Sequence, residues 1–167
     1  MDLYPWIVLV HVTAVMLFFI AHGASAFVGL RLRGERDPAR IQALLDLSRW
    51  SLGPAAGIAL LVGLIAGIVA AFAGGWWGHL WIWLSLATFL AVGGLMTPLA
   101  AMKLAQMRLA LGIPIQPPFG FKKTVDTPAA DPVELQRLLD AWNPWPVSIL
   151  GFGGFTVILA LMLLKPF

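Results

Sequence analysis

The stretch Trp6–Leu30, WIVLVHVTAVMLFFIAHGASAFVGL, decides the fold. It holds no Asp, Glu, Lys or Arg. As a helix rising ~1.5 Å per residue, it outruns the ~30 Å hydrocarbon core of a bilayer. Arg31, Arg33, Arg36 and Arg40 follow at once, so the segment reads as a membrane span closed by a basic stop.

Working outward, Ser51–Ala73, Trp81–Met102 and Trp145–Leu164 have the same character, and all 11 basic and 8 acidic residues lie outside these spans. The 167-residue chain is 60% hydrophobic and 11% charged, with a mean hydropathy of +0.87. A soluble domain is roughly a quarter charged, so these charges are too few to coat a water-facing surface. The expected fold is all-α: one polytopic membrane domain over residues 1–167, with four transmembrane helices in a bundle. The lipid bilayer is its first partner. The absence of cysteine excludes disulfides, thiolate metal sites and cysteine nucleophiles. A net charge of +3, spread between apolar runs, offers no basic face for nucleic acid.

The connections set an orientation. Arg31, Arg33, Arg36, Arg40 and Arg49 lie between spans 1 and 2, and Lys103, Arg108, Lys122, Lys123 and Arg137 between spans 3 and 4. The segment Gly74–Leu80 carries no charge. The positive-inside rule places both basic loops in the cytoplasm and both termini outside. Trp6, Trp76, Trp77, Trp81 and Trp83 then mark the outer interface, and Trp50, Trp142 and Trp145 the inner one. Ala24-Ser25-Ala26 resembles a signal-peptidase site, but the leader has no basic n-region and too long an apolar run. Span 1 is therefore expected to be retained.

The two basic loops share a pattern: Asp37-Pro38-Ala39-Arg40-Ile41-Gln42-Ala43-Leu44-Leu45-Asp46 against Asp131-Pro132-Val133-Glu134-Leu135-Gln136-Arg137-Leu138-Leu139-Asp140. Asp serves as N-cap and Pro takes the first helical position, where its missing N–H costs nothing. The apolar residues fall at helical spacing, which predicts short interfacial helices lying on the inner membrane face with their apolar stripes down. The match favours a duplicated hairpin, two tandem copies in the same orientation. The stretch Leu111–Pro128, with Pro114, Pro117, Pro118 and Pro128, reads as irregular.

Span 2 carries small residues at every fourth position, Ala55, Ala59, Gly63, Gly67 and Ala71, a ridge for close helix packing. Pro98 inside span 3 predicts a kink near Gly94. With no charge in any span, a carboxylate relay or voltage sensor is excluded, and no nucleophile–base or carboxylate pair supports an enzyme acting on lipid or porphyrin.

His11 and His22 remain. Eleven residues apart, they share one helix face within ~20° but are separated by ~16 Å along the axis. They therefore cannot share one metal, and each needs a partner from another span. By depth, Met162 matches His11 and Met96 matches His22, with His79 nearer the outer surface and within reach of His11. His/Met or His/His ligation of haem b or of copper is one reading; histidines that only hydrogen-bond neighbouring helices are the other.

Leu9-Val10-His11-Val12, Ala21-His22-Gly23 and the exit Leu30-Arg31-Leu32-Arg33 before Asp37-Pro38 resemble an uncharacterised bacterial family of small four-span predicted integral membrane proteins. More distantly, the histidine early in span 1 is similar to that of copper-resistance protein D and of the protoporphyrinogen-oxidising membrane protein of the haem pathway. The resemblance implies a bacterial inner (plasma) membrane protein, and the distant one implies haem or copper handling with His11 as ligand. Two functions are carried forward: a small non-enzymatic protein binding haem or a metal through the span-1 histidines, and a scaffold or accessory subunit of a larger membrane complex or transporter, self-associating or packed on a partner.

Overall fold

Among the residues described in the computed structural model (3–52, 54–114 and 129–167), no strand occurs, and four helices are long and apolar enough to cross a membrane. Helix α1 spans Tyr4–Leu32, opening on Pro5 in its first turn. Helix α2 covers Pro38–Leu52 and α3 covers Pro54–Ala73. A short 3-10 turn, Trp76–Gly78, leads into the third span. That span has three parts: α4 (Leu80–Met96), a π-helical turn (Thr97–Ala101) and α5 (Met102–Ala110). Helix α6 covers Pro132–Asp140 and α7 covers Pro144–Leu164. The prolines at the starts of α6 and α7 sit where no backbone donor is lost.

The disturbance expected near Gly94 takes the form of the π-helical turn around Pro98. Proline lacks an N–H and its ring collides with the carbonyl four residues back; one wider turn relieves both without ending the helix. The helix then continues to Ala110, eight residues beyond the Met102 end expected for the span. It passes Lys103 and Arg108 because Arg108 is buried, donating to the Leu45 carbonyl and to Ser48 Oγ of α2.

The spans pair in sequence order. Helix α1 packs chiefly on α3 and α4 chiefly on α7, while α1 meets α7 along a smaller seam. Two hairpins thus stand side by side. The predicted small-residue ridge forms part of the first pair: a methyl added at Gly63 would lie 3.2 Å from the Val15 side chain of α1. Gly154 plays the same part for Val92 in the second pair.

Both repeat segments are helices capped as their sequences predict. Asp131 accepts from the Val133 and Glu134 amides, and Asp37 from the Ala39 amide at 3.1 Å. Their placement differs from the expectation. The stripes do not face lipid: Ile41, Leu45, Leu135 and Leu139 are buried against Val28 and Leu32 of α1 and Leu104 and Met107 of α5. The ends of α1 and α5 reach both stripes, and burying their apolar surface against one another is favourable.

Trp142 also departs from the belt expected at this end. It is 4% exposed, and its Nε1–H donates to the Gly29 carbonyl at 2.7 Å, tying the second repeat to α1. At the opposite end Trp81 is likewise buried, whereas Trp6 and Trp83 there, and Trp145 at the basic end, are exposed as belt residues should be. The proline-rich stretch at 115–128 and the Trp50 side chain lie outside the described residues.

Candidate functional site

The hairpins meet along the α1–α7 seam and at the basic end, and they leave a space between them at the tryptophan-rich end. This cavity holds about 400 Å³ and is walled by α1, α3, α4 and α7. Its lining is apolar apart from His11, Tyr4, Ser85, Lys165 and the tryptophan edges. Ser85 Oγ donates to the Trp81 carbonyl at 2.8 Å, so its hydrogen is spent within its own helix.

His11 Nδ1 lies 2.7 Å from the Gly63 carbonyl oxygen. A carbonyl only accepts, so Nδ1 carries the proton, and in the neutral ring Nε2 keeps its lone pair. The ring lies over α3 where Gly67 provides room: a Cβ there would stand 2.8 Å from both Nδ1 and Cε1. Gly63 and Gly67, one turn apart, thus supply an anchoring carbonyl and a seat. Met162 of α7 lines the same cavity. His79 does not; it lies outside the helix start it precedes, exposed, with its ring 5.3 Å from that of Trp76.

Half a bundle away, His22 and Met96 meet over Gly151, where an added Cβ would lie 2.8 Å from His22 Nε2 and 3.0 Å from Met96 Cε. They line a space of only about 40 Å³, shared with Ser25, Ser148 and Trp142. That is room for ~3 waters at most. The shared face read from the sequence divides accordingly: Val15 and Phe18 line the large space, and Ser25, Ala26 and Gly29 the small one.

No group of three or more His, Asp or Glu converges among the described residues, and one imidazole with one thioether falls short of the three or four donors that a metal centre built from side chains alone takes. A tetrapyrrole brings four equatorial nitrogens of its own and asks the protein for one or two axial ligands. Of the two histidines, His11 stands beside the larger space, about 400 Å³ against about 40 Å³.

Sequence reasoning missed two further features. Trp81 lines the large cavity, yet its Nε1–H is buried without an acceptor, as is that of Trp77. Lys165 lines it too, with Nζ 4.1 Å from the centre of the Trp76 ring and 5.7 Å from that of Trp81. The signal for Lys165 was present: it is the one basic residue outside the two basic loops. No family model, curated protein or solved structure matches this chain.

Proposed function

We propose that this protein is a membrane-embedded, non-enzymatic binder of a haem-type tetrapyrrole, held in the cavity between the hairpins with His11 as axial ligand. The observation that carries this reading is the His11 ring itself, fixed through Nδ1–H to the Gly63 carbonyl on the wall of a 400 Å³ apolar space. A ligating histidine characteristically gives its other ring N–H to a carbonyl or carboxylate, which sets the tautomer and the ring plane. The volume falls within the range of small-molecule sites. Met162 of α7 lines the same cavity and is the second residue that could hold the group, and the aromatic lining would exclude water. When bound, the iron would supply reversible one-electron chemistry. His22 and Met96 serve packing in this reading, since their space is a tenth as large. Copper is disfavoured by the short donor set. By the positive-inside rule the basic end faces the cytoplasm, the cavity opens toward the outer leaflet, and both termini lie outside.

Titration of the purified protein with haemin tests the proposal. A saturable Soret band is expected that is lost in His11→Ala and kept in His22→Ala. Absence of the band, or its persistence in His11→Ala, overturns the assignment.

A further inference from the structure

We propose that the cavity at the tryptophan-rich end is an acid site: it takes a membrane-soluble carboxylate whose head is held by Lys165 Nζ and whose apolar body fills the space between the hairpins. This goes beyond the tetrapyrrole reading and does not require the iron.

The polar inventory of the cavity rim is one-sided. Lys165 contributes a cation, and among the described residues no side-chain carboxylate pairs with it: Glu35, Asp37, Asp46, Asp131, Glu134 and Asp140 all sit on or beside α2 and α6 at the far end. Instead its Nζ rests over the faces of Trp76 and Trp81. Trp77 and Trp81 add two buried indole N–H groups with no acceptor, where more than about nine in ten buried polar groups have a partner. Trp76 differs, because its Nε1–H is already spent on the Tyr4 hydroxyl at 3.1 Å. Among the described residues Lys165 has no anionic partner, and a carboxylate supplies one charge and two acceptor oxygens. Lys165 is also held in place by the backbone. It ends α7 in the left-handed region at φ 44°, with its N–H bonded to the Leu161 carbonyl at 3.1 Å, and a non-glycine residue seldom adopts that conformation. Below this rim the wall is apolar apart from His11 and Ser85, neither of them a fixed cation, so a charged head finds its counter-charge only at the Lys165 end.

Two kinds of molecule carry this group on an apolar body: a tetrapyrrole with its propionates and a long-chain fatty acid. The test compares each acid with its ester on the full-length protein in detergent. Haemin and its dimethyl ester are followed by Soret absorbance, and bromostearate and its methyl ester by quenching of tryptophan fluorescence. The acid is expected to bind at least 10-fold tighter than the ester in one series or both. Lys165→Met should bring the acid down to the ester's affinity without changing the ester's, and Lys165→Arg should restore the preference. Equal binding of acid and ester in both series overturns the proposal, as does an acid preference that survives Lys165→Met. An acid preference in the bromostearate series without a His11-dependent Soret band supports the acid site while removing the haem reading, so the two can fail separately.

Discussion

The two ends of the bundle are built from similar residues and packed in opposite ways. At the basic end Leu32, Leu45 and Met107 are fully buried in a continuous core that also takes in Leu135, Leu139 and Trp142. At the tryptophan-rich end the buried cluster shrinks to Ala71, Trp81 and Ile82 beside a 400 Å³ space. The difference follows from the connections. Between α1 and α3, and again between α5 and α7, an amphipathic helix fills the gap and draws the hairpins together. At the other end the link between α3 and α4 is a short turn with no α-helix to spare, so nothing among the described residues plugs the space. Closure at one end and a cleft at the other is an arrangement suited to holding a ligand in a rigid frame.

The comparison breaks most visibly if the core is cut. Leu45→Ala removes a fully buried side chain and is expected to destabilise the protein by about 2–5 kcal/mol. Leu64→Ala on the cavity wall, by contrast, enlarges a space already open and should cost roughly 1 kcal/mol or less. Thermal melts of the two variants in the same detergent check this, and equal losses would mean that the two ends are packed alike.

A smaller effect sharpens the role of the cavity wall. Gly67→Ala places a methyl 2.8 Å from the His11 ring, an overpacking expected to cost about 1–3 kcal/mol. The ring must move off the Gly63 carbonyl, so haemin titration of this variant should show a weakened or shifted Soret band, while Gly23→Ala, which meets nothing within 4 Å, should leave it unchanged.

The smallest effect belongs to the water-facing side of the basic end. Arg137 grips the Glu134 carboxylate with two hydrogen bonds of 2.6 Å each, and this bonding holds Glu134 below the usual glutamate range. The pair's contribution is therefore complete above the ordinary glutamate pKa and fades as pH falls through the depressed value. Both side chains are exposed, so Glu134→Gln should leave the neutral-pH melting temperature within error and remove only a slight, salt-sensitive loss on the acid side. A large neutral-pH loss would show that the helix surface, and not its buried stripe, holds α6 in place.

Much of the fold was legible because the bilayer imposes it. Charge cannot enter the hydrocarbon region cheaply and backbone groups must pair within a span, so Trp6–Leu30 and its counterparts could be read as helices with their boundaries near right. The Asp-Pro caps of α2 and α6 were readable for a local reason, since a cap depends on three or four consecutive residues. The resting place of those helices was not. Ile41 and Leu139 carry the same apolar stripe whether it meets lipid or protein, and only the ends of α1 and α5 settle the choice. That the third helix continues past Met102 to Ala110 was not legible, because Arg108 finds its partners in α2, a contact between residues 60 or more apart in sequence.

The sequence alone placed His11 and His22 on one face of one helix, too far apart for a common ligand, because helical geometry is periodic and local. It also matched Met96 with His22 in depth, and the two do meet over Gly151. What it could not determine was which histidine has room beside it. Free volume depends on how two hairpins lean together, and a gap between α3 and α7 leaves no mark on either strand of sequence. Tertiary structure decided that His11 faces 400 Å³ and His22 about 40 Å³, and it brought Lys165 back over Trp76 from the end of the last span.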